Sequence, residues 1–563
     1  MVKVSKYFSL LSLLWCLGFT TLKAQDKKRY LVYFKDKSNT PYSINEPEKF
    51  LSKRAIERRK RQNIAIDDKD LPINPTYVQQ VRDKGARVWY ETRWFNAVYV
   101  EADEKTMADL KSLPFVLPQT LYLTNNKVPS VKGKLAPSEQ FLIKTPNDTK
   151  YSPLDIKTSE DYGDALNQNE MLGANQMHAL GYRGQGMVIA VLDAGFSNGN
   201  RIPALSHLFK DKRILGTYDF VRGINEVYDA DSHGLEVLSC MAGYEKGKMI
   251  GTAPEASYYL FRTEDAGTEY RVEEANWTVA IEKADSLGVD VVNSSLGYTD
   301  FTDKKMSYQY KDMDGKTSLC TKAATIAAQK GIMVVNSAGN EGNADWQFVG
   351  APADADFIIS VGATNRKGEK AGFSSFGPTY DKRIKPTLSA QGSPATVAKD
   401  NGNIGSNYGT SFSSPIMCGM VASFWQGFPQ FSNQEIISIL QESASLANKP
   451  DTLLGYGVPN FNRAYMIAEQ RLVSGKSSKN GFHLLKNSTQ LTLLFGKNYI
   501  DTKASIQIIN MSGKVLQTHT FERVPSEFEW DKVKKVPNQN YIIRITQNKN
   551  TEDRRWLKNS LAK

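Results

Sequence analysis

The chain has 563 residues, 40% hydrophobic and 23% charged, so it can bury several cores and is too apolar for a disordered chain. Its net charge of +11 is uneven: residues 1–150 hold 27 Lys+Arg against 16 Asp+Glu, residues 151–475 hold 28 against 37, and residues 476–563 hold 16 against 7. The largest region is therefore acidic, which argues against nucleic-acid binding, and four cysteines without a C-x-x-C pair exclude a disulfide scaffold or a zinc ribbon.

The elements follow in chain order. Lys3 and Lys6 precede an apolar run from Tyr7 to Thr21 that ends at Ala24, the pattern of a secretory signal over residues 1–24. Cys16 reads as part of that run. Beyond it no apolar stretch is long enough to span a membrane. Residues 25–123 predict a compact α+β unit. Strands are expected at Tyr30–Phe34, Ala86–Tyr90, Trp94–Val100 and Phe115–Leu123, and helices at 47–62, near 75–84 and at Glu104–Leu113. That βαββαβ order fits a ferredoxin-like fold. The basic run Lys53–Arg61 reads as a solvated helix face, with a docking surface for an acidic partner as the alternative.

Residues 124–160 have the composition of a linker. Residues 161–470 alternate apolar strands (Val188–Leu192, Val289–Val292, Ile332–Val335, Phe357–Val361) with helices, which implies a parallel sheet covered on both faces. Residues 476–563 change to short alternating strands, a separate small all-β domain.

Four segments of the α/β region carry chemistry. An apolar strand ends at Asp193. Asp231-Ser232-His233-Gly234 opens a helix. Ser337-Ala338-Gly339-Asn340-Glu341-Gly342 follows a strand. Gly409-Thr410-Ser411-Phe412-Ser413-Ser414-Pro415 opens another helix. A serine hydroxyl needs an imidazole base, the imidazole needs a carboxylate, and the developing oxyanion needs amide donors. Asp193, His233, Ser411 and Asn340 supply those groups, and His233 is the one of five histidines at a polar, Gly-flanked helix start.

With those motifs in order, residues 161–470 resemble a subtilisin-like serine protease, a subtilase. The resemblance implies a parallel-sheet α/β catalytic domain. In it Asp193, His233 and Ser411 would be the catalytic residues and Asn340 the oxyanion-hole amide. Ser295, Leu296 and Gly297, with Gly339, would bind substrate backbone. Two positions depart from the family pattern: Glu236 stands where many subtilases have a second His, and Phe412 replaces the usual Met. Residues 25–123 resemble the family's inhibitory propeptide, which implies a zymogen. Charge agrees, since residues 25–150 hold 24 basic against 16 acidic residues and face the acidic domain. The linker is then expected to carry the maturation site, with the prodomain docked on the substrate strand near Ser295–Gly297. Residues 476–563 resemble a type IX secretion sorting domain through Ile506–Val515 and Asn540-Tyr541-Ile542-Ile543, with a plain accessory β domain as the alternative.

The smaller signals read as structure. Asp312-Met313-Asp314-Gly315 lacks the later Glu of a calcium loop and predicts a turn into a helix near Thr317. Cys240 and Cys418 lie two turns beyond His233 and Ser411, and buried free thiols are expected. The reading is a secreted serine endopeptidase made as a propeptide-inhibited precursor. It needs no cofactor or metal and acts on proteins or peptides. A catalytically silent subtilase-fold binding protein, and a narrow-specificity or exopeptidase variant, are the alternatives.

Overall fold

The computed structural model describes residues 27–124, 153–474, 482–486, 491–495, 499–510, 512–525, 527–530, 540–547 and 550–557. The expected signal segment and residues 125–152 of the expected linker lie outside them.

The N-terminal unit contains β1 (Lys28–Phe34), α1 (Lys53–Arg61), α2 (Pro75–Asp83), β2 (Arg87–Thr92), β3 (Ala97–Ala102), α3 (Glu104–Lys111) and β4 (Val116–Thr124). Its antiparallel sheet has the order β2-β3-β1-β4, as a ferredoxin-like unit requires. Val32, Val98 and Val100 face the helices α2 and α3 from one side of the sheet. Leu31, Trp89 and Tyr99 turn to the other side, the period-2 alternation of a sheet with two occupied faces.

The central unit is built on seven parallel strands. Their order is Leu388–Ser393, Ile359–Asn365, Met333–Ser337, Val291–Ser294, Val188–Asp193, Ser257–Arg262, Ile214–Asp219. Alternate residues of one strand feed two cores. Ile189 and Val191 pack with helices His233–Ala242 and Thr410–Gly427, while Val188, Ala190 and Leu192 pack with Val272–Leu287 and Leu319–Gln329. Being buried on both faces, these strands read as continuous apolar runs. Several end two residues beyond their expected limits, because sheet register rather than local hydrophobicity ends a parallel strand. At the C-terminus two antiparallel sheets share a core of Leu491, Leu493, Ile506, Ile508, Tyr541, Ile543 and Ile545. No helix among the described residues is long and apolar enough to cross a membrane.

The N-terminal sheet lies on the two helices Val272–Leu287 and Leu319–Gln329, in one continuous apolar cluster with them. This corrects one expectation: α1 is not a solvated face but the alternative, a docking surface for an acidic partner. Ser52 caps it by accepting the Ala55 N–H at 3.1 Å, and its C-terminal arginines reach across the interface. Arg58 and Arg59 are each 1% exposed. Arg59 grips both oxygens of Asp285 at 2.9 Å and donates to Asp70 at 2.7 Å. Arg58 pairs with Asp285, and Arg93 adds a bond of 2.7 Å. Burial alone would raise the Asp285 pKa, but Arg59 and Arg58 outweigh it and hold it well below the usual carboxylate range. Arg54 and Arg58 also donate to the carbonyls of Gly288 and Val289 just past the helix end, and Ser52 N–H donates to Ser286 O. The basic helix thus caps the negative end of an acidic helix. The linker expected to run along Ser295–Gly297 falls largely on residues 125–152, outside the described residues; the described N-terminal unit rests on the helix pair.

Candidate active site

Asp193 is the last residue of its strand, fully buried at the C-terminal edge of the sheet beside the point where strand order reverses. Its Oδ1 accepts the Ala194 N–H at 2.8 Å and lies 2.7 Å from His233 Nδ1. His233 is the first residue of its helix, and Asp231 Oδ1 accepts its N–H at 2.7 Å. The close approach of helix and strand needs Gly234: a Cβ there would sit 2.5 Å from Gly195 O and 2.8 Å from Asp193 Cβ. The imidazole reaches the surface, its side chain 33% exposed. Burial disfavours its charged form, but Asp193 outweighs that and raises the pKa to about 9.

Ser411 sits in the first turn of the helix Thr410–Gly427 and is mostly buried. Its Oγ donates to Ser295 O at 3.4 Å, and Ser295 Oγ donates to Ser411 O at 2.8 Å. The serine hydroxyl is therefore turned to the 295–297 segment in this structure rather than to His233. The ring of the next residue, Phe412, lies 5.7 Å from the imidazole and ties the two helix starts together.

Asn340 is exposed, in the turn after the strand Met333–Ser337. Its Oδ1 accepts from Thr410 N–H at 2.8 Å and Thr410 Oγ1 at 3.0 Å. Both acceptor contacts of the amide are taken by the residue before Ser411, which leaves its Nδ2 donors facing out. Gly339 holds φ at +111°, and a Cβ there would meet Ser375 Oγ at 2.8 Å, so only glycine fits the turn. Ser295 is buried, Leu296 half-buried and Gly297 exposed. Leu296 O accepts from Asn336 Nδ2 at 3.1 Å, and Tyr298 pairs with Ala351. Gly297 is the exposed residue of the segment, and among the described residues no hydrogen bond to its backbone occurs.

The structure thus brings Asp193, His233, Asn340 and Ser411 to one edge of the sheet, with Ser295–Gly297 beside them. Two supporting groups escaped the sequence reading. Thr410 orients Asn340, and its place between Gly409 and Ser411 was the available signal. Glu236 is 8% exposed and pairs with Lys399, 163 positions away, which no local pattern reveals. Cys240, Cys320 and Cys418 are buried free thiols. Asp314 accepts from Lys316 and Thr317 N–H at 2.8 Å each, a turn leading to the Ser318 cap of the helix Leu319–Gln329. No group of three or more metal-ligating side chains occurs among the described residues.

Comparison with known proteins agrees with this architecture. Residues 184–457 match the Subtilase family, and residues 29–136 match the Peptidase S8 propeptide domain of Bacteroidota. Subtilisin of Bacillus pumilus is 30% identical over 276 residues, 48% of this chain and 88% of that protein. Subtilisin NAT of Bacillus subtilis subsp. natto is 27% identical over 369 residues, 65% of this chain and 80% of that protein. In fold, the chain is similar to the epidermin leader peptide processing serine protease of Staphylococcus aureus. The TM-score is 0.53 at 17% identity, covering 78% of this chain and 98% of that one.

Proposed function

This chain belongs to the subtilase family and carries that family's propeptide domain, and from that premise we propose that it is a secreted serine endopeptidase made as a self-inhibited precursor. In this reading Ser411 is the nucleophile and His233 its general base. Asp193 holds the imidazole tautomer and stabilises the imidazolium. Asn340 Nδ2, with the backbone N–H at the start of the Ser411 helix, stabilises the oxyanion of the tetrahedral intermediate. The observation that carries the reading is the 2.7 Å contact of Asp193 with His233 at the same sheet edge as an outward-facing amide fastened to Thr410. The hydroxyl bond to Ser295 O is compatible with it, since such contacts tighten on the imidazole only when substrate is bound.

The exposed backbone at Gly297 suits an extended chain passing through the site, which favours endopeptidase action over removal of terminal residues. The export reading rests on Lys3, Lys6 and the apolar run to Thr21, and the type IX reading on Ile506–Val515 and Asn540–Ile543. The boundaries assigned here are 25–123 for the inhibitory unit, 124–160 for the segment cut in maturation, 161–470 for the catalytic unit and 476–563 for the C-terminal unit.

A fluorophosphonate probe tests the assignment. The matured wild-type chain should label at one serine, and Ser411→Ala should not label. A wild-type protein that takes no label would instead indicate a silent subtilase-fold binder.

A further inference from the structure

We propose that Glu236 is a positioning residue that, through Lys399 and Asn407, fixes the separation of the His233 imidazole and the Ser411 hydroxyl. The proposal deepens the hydrolase reading above and rests on it.

His233 and Ser411 come from two helices that pack in one core, with Phe412 against the imidazole, and the hairpin before Ser411 forms a second link between them. The chain reaches Ser411 from a hairpin, Ala395–Ala398 paired with Ile404–Asn407. The joint between hairpin and helix is short and anchored, Gly409 N–H donating to Gly392 O at 3.0 Å and Thr410 N–H to Asn340 Oδ1 at 2.8 Å, so the hairpin's position is passed on to Ser411. Tyr408 is 61% exposed, and Gly409 has φ +151°. The hairpin is held in turn by the helix that begins with His233. Glu236, one turn beyond His233, accepts from Lys399 Nζ on both oxygens at 3.0 Å and from Asn407 Nδ2 at 2.7 Å. One turn further, Ser239 Oγ accepts the Ala398 N–H at 2.9 Å. The Lys399 stem crosses Gly405, where a Cβ would lie 3.6 Å from Lys399 Cε. One face of the His233 helix is thus pinned to both strands of the hairpin. Asn407, the last residue of the hairpin, is four positions before Ser411.

The carboxylate is nearly buried, so removing either partner leaves a charge without its counter-charge. The effect should appear in positioning. Misplacement of reacting groups by about 1 Å costs about 100-fold in rate. Glu236 also adds, after Asp193 and Asp231, to the negative field on His233.

The experiment compares Glu236→Gln, Lys399→Met, Asn407→Ala and the Glu236→Gln/Lys399→Met double variant on the matured enzyme. Active sites are counted by fluorophosphonate titration. Per labelled site, kcat should fall about 10- to 100-fold for Glu236→Gln and Lys399→Met, and less for Asn407→Ala, with KM within about twofold. The double variant should be no slower than the slower single one. In Glu236→Gln the midpoint of the pH–rate profile should move down. Unchanged kcat per labelled site, with only melting temperature or labelled fraction reduced, would overturn the proposal, as would additive losses or an unmoved pH midpoint. Loss of folding in Glu236→Gln leaves Lys399→Met and Asn407→Ala to decide by the same criteria. A wild-type enzyme that takes no label overturns the hydrolase reading itself, and this inference with it.

Discussion

At the scale of single residues, function turns on one proton. In the proposed mechanism His233 must be neutral to accept the Ser411 proton, and Asp193 raises its pKa to about 9. The value of kcat/KM should therefore rise with pH to a midpoint well above the 6.5 of an ordinary imidazole. Asp193→Asn removes the charge that stabilises the imidazolium, so the midpoint should drop and kcat should fall about 10,000-fold. A wild-type midpoint at or below 6.5 would contradict the coupling. In the same proposal Asn340 acts on charge that exists only in the transition state. Asn340→Ala should cost about 100- to 1,000-fold in kcat with KM little changed, a magnitude taken from the family's own precedent. A raised KM with intact kcat would make it a ground-state contact. Ser411→Ala should leave less than about one thousandth of wild-type turnover.

At the scale of elements, the helix α1 and the end of Val272–Leu287 form the charged contact between the propeptide unit and the central unit. Asp285 takes bonds from Arg58, Arg59 and Arg93, and Lys330 pairs with Asp70 at 2.7 Å from the opposite side. Removing one partner of a buried, hydrogen-bonded charge pair costs about 2–5 kcal/mol and appears mainly in the dissociation rate. Arg59→Ala in the isolated N-terminal unit should therefore raise its inhibition constant at least about 30-fold through faster release. Stopped-flow inhibition kinetics would show this, and an unchanged release rate would mean that the apolar face of Trp89 and Leu31 suffices. Here the sequence was legible as a charge pattern only. Six basic residues in nine look the same on a solvated face and in an interface, and what separates them is Asp285, some 226 positions away.

At the scale of the whole molecule, the two units carry opposite net charge, but the central charges that touch, Arg58 and Arg59 with Asp285, are buried. Salt should slow association of the 25–123 fragment with the mature enzyme by screening long-range steering, and leave release almost unchanged. Titration at low and high ionic strength separates the two rates. Absence of inhibition at both would remove the inhibitor assignment. If maturation is autocatalytic, a Ser411→Ala precursor should remain uncut between residues 124 and 160, as intact mass would report.

The sequence by itself determined the class of fold and the identity of the groups gathered at the sheet edge. Strands buried on both faces leave unbroken apolar runs such as Val188–Leu192, and the residue at the end of such a run, Asp193, is placed by strand geometry alone. Gly234 and Gly339 announce themselves because close approach and positive φ admit no other residue. What only the tertiary structure decided is everything that depends on a distant partner. That includes the burial of Arg58 and Arg59 under a second unit, and the seat of the N-terminal sheet on the helix pair. It also includes the hold of Thr410 on Asn340 and the bond of Glu236 to Lys399. The physical reason is the same in each case. Local sequence records which face a residue turns inward, but an ion pair or an interface is defined by two segments whose meeting is set by the packing of the whole chain.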